Sequence, residues 1–170
     1  MTATTDHWIG ELAQQHLDAA YNLGRWLLGN EQDASDAVHD AYVRAARAAH
    51  TYAGGNARAW WLAIVRNCCL AKLANRKRET THLRAVDNEP SVADVEQRAE
   101  ADQRRALVAE QLRALPVEFR EALVLREIED LSYREIADVL NVPIGTVMSR
   151  LSRGRAMLQR AFASETTNEL

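Results

Sequence analysis

The chain has 170 residues, with 21 basic and 24 acidic side chains and a formal charge of −3 at pH 7. That length suits one ordinary domain or two small ones, and the near-neutral charge argues against a polybasic, histone-like binder while leaving room for local patches. Low glycine and proline contents exclude collagen-like and low-complexity proteins. Alanine supplies 29 residues, and such small side chains favour closely packed helices over β-sheets.

Targeting, membrane and redox signals are weak. No apolar run approaches the roughly 18 residues that cross a membrane, and the first residues lack the basic start and apolar run of a signal peptide. We therefore expect a cytoplasmic protein without membrane insertion. Cys68 and Cys69 are adjacent and cannot form a disulfide framework. Two reduced thiols on a helix are the favoured interpretation, and a thiol sensor is the alternative.

Helical periodicity organises the first half of the chain. Apolar residues at helical spacing over 9–27 predict a single helix, which a glycine–asparagine pair then ends. A second helix is predicted over 31–50, and its first turn is acidic, as the helix dipole favours. Two glycines and an asparagine predict a loop over 51–56. A third helix follows over 57–79.

The second half has clearer start and stop signals. Pro116 ends one predicted helix and opens the next, which runs to about residue 129. Ser132 and Glu135 have the spacing of a capping box at the start of a short helix. A three-residue turn then leads into a last helix over 144–162. These patterns predict helices throughout.

An acidic stretch separates the two halves. Residues 87–103 contain six acids and one base, which is typical of a flexible linker running into the solvated start of a helix near residue 92. The prediction is therefore an all-α fold of two small helical domains joined by a flexible linker. The predicted boundaries are 7–80, 81–91 and 92–165.

Residues 133–152 have the spacing of a helix-turn-helix. Ala137 is small where the two helices cross, Asn141 tolerates the left-handed backbone of the turn, and Val147 packs back onto the first helix. The stretch 143–163 has four arginines and no acid. Four side chains lie near enough to its start to reach base edges in a major groove: Met148, Ser149, Ser152 and Arg153. A helical hairpin with a basic outer face is the alternative.

Aromatic and basic side chains are concentrated in the first half. All four tryptophans and three of the four tyrosines lie within the first 61 residues, and the loop 51–56 leads directly into Trp60 and Trp61. Because bases stack on aromatic rings while phosphates pair with cations, this pattern suits unpaired nucleic acid as a ligand. Core tryptophans beside a solvated basic helix end are the interpretation that composition alone favours.

The second predicted helix carries acids on one face. Asp33, Asp36 and Asp40 recur at i, i+3 and i+7, and like charges one turn apart cost about 0.2–0.5 kcal/mol in an isolated helix. A basic partner protein would explain this face, and a solvated surface is the alternative. No histidine or cysteine stands beside the acids at ligand spacing, so we expect no metal and no other cofactor.

Together these segments resemble a bacterial RNA polymerase sigma factor of the extracytoplasmic-function (ECF) group, which keeps only conserved sigma regions 2 and 4. Segment 27–38 resembles the run into the family's polymerase-binding helix, and 59–67 resembles its promoter-melting helix. Segments 120–126, 131–137 and 145–153 resemble region 4. Three positions depart from the family pattern: His39 replaces a usual glutamine, Met148 replaces a usual lysine or arginine, and Asn141 replaces the common turn glycine.

The resemblance implies a protein without an active site. It would bind core RNA polymerase, open the −10 element of promoter DNA with region 2 (7–80) and read the −35 element with region 4 (92–165). The implied contacts to core polymerase are Asp33, Asp36, Asp40, Tyr42 and Arg44. Those to the −10 element are His50, Tyr52, Asn56, Trp60, Trp61, Arg66, Asn67 and Lys72. Those to the −35 element are Arg134, Thr146, Met148, Ser149, Arg150, Ser152, Arg153 and Arg155.

The same resemblance suggests a protein partner, and two other classes of protein must be weighed against it. An anti-sigma protein is a common partner in this family. A repressor or activator could share the 145–153 pattern, but it would carry a sensing domain in front of it rather than an acidic helix followed by an aromatic and basic one. An enzyme has no support, because the sequence contains no phosphate-binding loop and no nucleophile beside a histidine.

Overall fold

A computed structural model describes residues 2–82 and 100–168 of the chain, and within these ranges it is helical without a β-strand. The first range contains α1 (Thr2–Gln15), α2 (Leu17–Leu28), α3 (Glu31–Ala48), a 3-10 turn (Ala49–Thr51) and α4 (Ala57–His82). The second contains α5 (Glu100–Ala114), α6 (Val117–Leu123) with a π-helical turn (Val124–Ile128), α7 (Tyr133–Leu140) and α8 (Ile144–Asn168). We call α1–α4 the N-terminal bundle and α5–α8 the C-terminal bundle.

The junction between α2 and α3 forms as the sequence predicts. Gly29 has a left-handed backbone (φ 83°) and its N–H donates to the Arg25 carbonyl at 2.8 Å, so the glycine satisfies a free carbonyl at the end of α2. Asn30 caps α3, because its Oδ1 accepts the Asp33 N–H at 2.8 Å. These two residues end one helix and start the next without an intervening loop.

The prediction of one helix over 9–27 is wrong, because α1 and α2 are separate helices. His16 leaves helical geometry between them (φ −116°, ψ 27°). The hydrogen-bond ladder continues across the break, since the His16 N–H donates to Leu12 at 3.2 Å and the His16 carbonyl accepts from Ala20 at 3.1 Å. The apolar stripe therefore passes through the bend unbroken. Burial, and then the charge of Arg58, lowers the pKa of the His16 imidazole.

Small side chains let the helices of the N-terminal bundle approach closely. Gly24 on α2 faces Ala34 on α3 so closely that a Cβ on Gly24 would lie 3.0 Å from the Ala34 Cβ. Five core alanines have no exposed surface: Ala20, Ala34, Ala37, Ala41 and Ala45. Burial of these methyl groups and of the larger side chains between them stabilises the bundle. The close helix packing expected from the alanine content is confirmed.

The C-terminal bundle contains an unpredicted irregularity. Pro116 precedes α6 as expected, but the helix then widens into the π-helical turn. There the Glu129 N–H donates to the Val124 carbonyl at 3.1 Å and the Leu131 N–H donates to the Leu125 carbonyl at 3.0 Å. The last helix also extends beyond its predicted end at residue 162, to Asn168.

The predicted linker lies almost wholly outside the described residues. Only 81 and 82 of the segment 81–91 are described, and they belong to the end of α4. The predicted helix start near residue 92 also lies outside the described part of the chain. No helix in that part is both long and apolar enough to cross a membrane.

The two bundles lie against each other. Helix α7 packs along α4, while α6 and the π-helical turn contact α2. Helix α4 is therefore both a core helix of the N-terminal bundle and its main contact with the C-terminal bundle.

Candidate nucleic-acid interface

The helix-turn-helix forms from α7 and α8. Ser132 caps α7 with a complete capping box, in which the Glu135 N–H donates to Ser132 Oγ at 3.1 Å and the Ser132 N–H donates to Glu135 Oε2 at 2.7 Å. The Ser132 backbone N–H is the main cause of a lowered pKa of the Glu135 carboxyl. Asn141 closes α7 with a left-handed backbone (φ 54°, ψ 50°), as predicted for the turn.

Four apolar residues hold the two helices together. Ala137 and Leu140 on α7 are buried against Val147 and Leu151 on α8, and the last two have no exposed surface. Helix α8 also packs tightly on α6, because a Cβ on Gly154 would lie 2.9 Å from Leu123 Cδ1. The start of α8 is thus fixed by buried contacts, as a recognition helix must be to present side chains in one register.

The outward face of α8 is free within the described residues. Met148 is 53% exposed, and Ser149, Ser152 and Arg153 are also exposed. The Ser149 hydroxyl donates to the Thr146 carbonyl at 3.0 Å. The four side chains predicted to reach base edges therefore share an accessible surface.

The predicted phosphate contacts differ in their surroundings. Arg134 is exposed and Thr146 is half-buried at the start of α8. Arg155 donates to Glu127 Oε1 at 2.7 Å, and this hydrogen bond raises the pKa of its guanidinium. Arg150 is half-buried, with its Nη1 3.9 Å from Glu121 Oε1. Arg150 and Arg155 must therefore leave or share a carboxylate to bind a phosphate.

Three aromatic rings cluster where the loop 51–56 meets α4. The Tyr52 and Trp60 ring centroids are 5.5 Å apart, and Trp8 from α1 lies 5.0 Å from Tyr52 and 5.9 Å from Trp60. These distances are typical of favourable aromatic pairs. The three rings are half-buried. Sequence reasoning missed Trp8, since nothing in its local pattern connects it to a loop more than forty residues away.

The burial of Trp61 argues against its predicted place among the contacts to the −10 element. Its side chain has no exposed surface, because it lies on the face of α4 that packs into the N-terminal bundle. A buried indole cannot stack on a base in this conformation. Of the two adjacent tryptophans, Trp60 lies at the surface and Trp61 belongs to the core.

The polar residues predicted for the −10 element fall into two groups. His50 and Asn67 are exposed and Lys72 is half-buried. Arg66 and Asn56, in contrast, bond to the C-terminal bundle: Arg66 Nε and Nη2 donate to the two Glu121 carboxylate oxygens at 2.9 and 3.0 Å, and Asn56 Nδ2 donates to Glu135 Oε1 at 2.8 Å. Sequence reasoning missed this acidic counterpart, because its residues lie 55 and 79 positions away along the chain.

The predicted polymerase-binding surface is an exposed face of α3. Asp36, Asp40 and Arg44 are exposed, and Tyr42 is 39% exposed. Asp33 is the exception, because its carboxylate accepts a hydrogen bond from Arg76 on α4. This bond is the largest cause of a lowered pKa of the Asp33 carboxyl. Asp36 and Asp40 are thus more available to a basic partner than Asp33 is.

The two thiols are buried in the N-terminal bundle. Cys68 is 3% exposed and Cys69 has no exposed surface. Burial raises the pKa of the Cys69 thiol to about 12 and also raises the pKa of Cys68. Since the thiolate is the reactive form, this burial favours two inert thiols over a sensor. The described residues contain no group of histidine, cysteine and acidic side chains arranged to hold a metal ion.

Comparisons with known families match both bundles. The region 2 model of the sigma-70 family matches residues 12–79, and the sigma-70 region 4 model matches residues 105–158. The ECF RNA polymerase sigma factor SigE of Mycolicibacterium smegmatis is 35% identical over 165 residues, covering 92% of this chain. The chain spans 62% of the length of that relative.

Solved structures agree with these matches. The sigma factor RpoE, in its co-crystal structure with the anti-sigma factor NepR from Bartonella quintana, superposes with a TM-score of 0.75 at 26% identity, covering 91% of this chain and 96% of that one. CnrH, solved in complex with the cytosolic domain of CnrY, superposes with a TM-score of 0.68 at 26% identity, covering 96% and 95%. The chain belongs to the sigma-70 family of RNA polymerase sigma factors and, within it, to the ECF group.

Proposed function

We propose that this chain is an ECF-type sigma factor that binds core RNA polymerase and directs promoter-specific transcription initiation. Residues 7–80 act as region 2, 81–91 as an acidic linker and 92–165 as region 4. Such a protein acts by binding rather than by chemistry, so it needs no active site and no cofactor. Its place of action is the cytoplasm, where core polymerase and the promoter are found.

The observation that carries the proposal is the geometry of the helix-turn-helix. The buried residues Val147 and Leu151 fix α8, and its first turns present Ser149, Ser152 and Arg153 outward in a stretch, 143–163, that contains no acid. Arg153 can bind a guanine with two hydrogen bonds, which is worth about 1–3 kcal/mol of base discrimination. Arg134, Thr146, Arg150 and Arg155 surround this surface and supply contacts to phosphates.

The N-terminal bundle supplies the contacts for strand opening. Tyr52 and Trp60 form an aromatic surface beside the two-glycine loop, on which an unpaired base can stack at about 1–3 kcal/mol per base. The remaining members of the −10 set are polar or basic: His50, Asn56, Arg66, Asn67 and Lys72. Of these, Arg66 and Asn56 must first leave their carboxylate partners Glu121 and Glu135. Binding the separated strand in this way favours the open promoter over the duplex.

Protein partners bind elsewhere on the same bundle. The face of α3 with Asp36, Asp40, Tyr42 and Arg44 is the surface for core polymerase, with Asp33 at its edge. An anti-sigma factor is a further partner, supported by the similarity to the sigma factor RpoE, which was co-crystallised with the anti-sigma factor NepR.

Transcription initiation by purified components tests the proposal. The full chain is mixed with core RNA polymerase and a library of promoter fragments, and the initiated transcripts are sequenced. We expect initiation at fragments that share −10 and −35 elements. A chain that neither binds core polymerase nor selects any fragment would refute the proposed function.

Charge reversal tests the polymerase surface separately. Replacing Asp36 and Asp40 with lysine should weaken binding to core polymerase while leaving duplex −35 binding unchanged. The matched control reverses two exposed acids of the C-terminal bundle, Glu118→Lys and Asp138→Lys, and should leave core binding intact. Equal loss in both double variants would show that the α3 face has no special role.

A further inference from the structure

Two exposed apolar side chains lie together at the start of α8. Ile144 is 41% exposed and Met148 is 53% exposed. Because they are four residues apart, they lie on neighbouring turns of one face of the helix, and we call them the apolar pair. Val147, directly before Met148, has no exposed surface. The helix therefore buries one apolar side chain in the core and leaves the adjacent apolar pair at the surface, where core packing does not explain it.

The charge beside the apolar pair is positive. Arg134 on α7 and Arg153 on α8 are both exposed, and residues 143–163 contain no acid. Positive charge of this kind attracts the phosphates of a DNA duplex. A duplex is thus the occupant whose charge complements the surface that carries the apolar pair.

The major groove of DNA offers one apolar group. Every base pair presents hydrogen-bond donors and acceptors at its groove edge, and thymine alone adds a methyl group, at C5. The thioether of Met148 is apolar and only a weak acceptor, so it is poorly suited to the polar groups of the groove. Side chains near the start of a recognition helix reach these edges. The thymine methyl group is therefore the feature that matches an exposed methionine at this position.

Ser149 supplies a polar complement beside Met148. Its hydroxyl donates to the Thr146 carbonyl at 3.0 Å, so its proton is engaged while its lone pairs remain able to accept. An A·T pair presents both a donor, the adenine N6 amino group, and the thymine methyl group at its major-groove edge. A G·C pair presents a donor on cytosine but no methyl group. The two neighbouring side chains together therefore favour A·T pairs.

We propose that Met148, with Ile144 beside it, is a specificity-determining residue that contacts the C5 methyl group of a thymine in the −35 duplex. This inference rests on the proposed function and adds to it a base preference set by an apolar contact. Removing one methyl group from water changes an affinity by about fourfold. The chain should therefore bind its duplex site about four times more tightly when the contacted base carries the methyl group.

Uracil tests this contact directly, because it differs from thymine only by the missing methyl group. The full chain, without polymerase and at low salt, where phosphate contacts are strongest, selects sites from a library of random-sequence DNA duplexes. Each thymine of the selected site is then replaced in turn by uracil, and the dissociation constant is measured by fluorescence anisotropy. We expect at least one position at which uracil weakens binding about fourfold. At that position, 5-methylcytosine should bind about fourfold more tightly than cytosine.

Substitutions at exposed positions assign the preference to Met148. Met148→Ser removes the apolar side chain and should bind the thymine and uracil duplexes equally. Met148→Leu keeps an apolar side chain and should keep the preference for thymine. Val108→Ser is the matched control, since Val108 is an apolar side chain on α5 that is 44% exposed; it should leave both the affinity and the preference unchanged. Because both positions lie at the surface, the variants leave the core intact.

The inference is overturned if no thymine can be distinguished from uracil, if Met148→Ser keeps the preference, or if Val108→Ser loses it. A chain that selects no duplex site overturns it as well. The proposed function fails separately, because the selection contains no polymerase. A chain that prefers the methyl group but does not initiate transcription would read DNA as a regulator of another class. A chain that initiates transcription but binds thymine and uracil sites equally would keep the proposed function and lose only this inference.

Discussion

Gly154 is the position where a single methyl group should disturb the recognition helix most directly. It lies on the side of α8 that packs against α6. A Cβ at this position would lie 2.9 Å from Leu123 Cδ1, 3.3 Å from Leu123 Cγ and 3.4 Å from Phe119 Cβ. Both neighbours are buried, with Leu123 only 3% exposed. The side chain of Leu123 has little free space into which it can move.

The expected magnitude is a balance of two effects. Replacing a glycine inside a helix with alanine gains about 0.8–1 kcal/mol of helix propensity. Overpacking a filled core by one methyl group costs about 1–3 kcal/mol. Because the first contact is shorter than van der Waals distance and the neighbours are buried, we expect the cost to exceed the gain. Gly154→Ala should therefore lower the free energy of unfolding by about 1 kcal/mol.

Urea denaturation of the full chain, followed by circular dichroism, measures this effect. Gly145→Ala on the same helix is the control, since an added Cβ there meets nothing within 4 Å; it should leave stability unchanged or raise it by a few tenths of a kcal/mol. In the double variant Gly154→Ala/Leu123→Ala, the shorter side chain at position 123 should remove the steric clash. A double-mutant cycle should therefore give a favourable coupling free energy of about 1 kcal/mol. A Gly154→Ala chain more stable than wild type would refute the reasoning.

Three further predictions concern ionisable groups. The lowered pKa of Glu135 means that its ionised form stabilises the fold; Glu135→Gln should therefore lower stability by about 1 kcal/mol above pH 5, and the difference should shrink as the pH falls through the folded-state pKa. Urea melts from pH 7 to pH 3 measure it, and a pH-independent difference would contradict it. Cys69, whose pKa is about 12, should resist iodoacetamide at pH 8 in the folded chain and react in urea, as mass spectrometry of the digested protein can show. Arg76→Gln should destabilise the chain by about 0.5–1 kcal/mol at pH 7, because Arg76 also donates to the Leu28 carbonyl at 2.7 Å; the loss should be smaller in the Asp33→Asn background, and an equal loss there would exclude coupling between the two side chains.

The local features of the fold were predictable because they depend on neighbouring residues. Gly29 and Asn30 end one helix and start another through contacts within four residues. Ser132 and Glu135 form the predicted capping box, and Asn141 adopts the predicted left-handed turn. Each of these signals is a short-range match between side-chain chemistry and free backbone groups. Such matches are present in the sequence itself.

The unpredicted features depend on residues far apart in the chain. Trp60 and Trp61 are adjacent residues of the same type, and only the packing of α4 decides that Trp61 is buried. Trp8 reaches Tyr52 because α1 folds back across the bundle. Arg66 meets Glu121 because α4 and α6 lie at the boundary of two bundles. No periodicity in the sequence indicates which of several basic and acidic residues will meet there.

The π-helical turn at Val124–Ile128 determines the direction in which the chain leaves α6, and with it the orientation of α7 and α8. In a regular α-helix each residue advances the chain by about 100° around the axis, so the wider turn accommodates one residue that an α-helical path would not. Deleting a single residue there would restore an ordinary helix and swing the departing chain by about that angle. The capping box at Ser132 would still form, but α8 would carry Arg153 toward a different side of the domain. The orientation of α8 relative to α6 thus depends on one extra residue in the turn at Val124–Ile128.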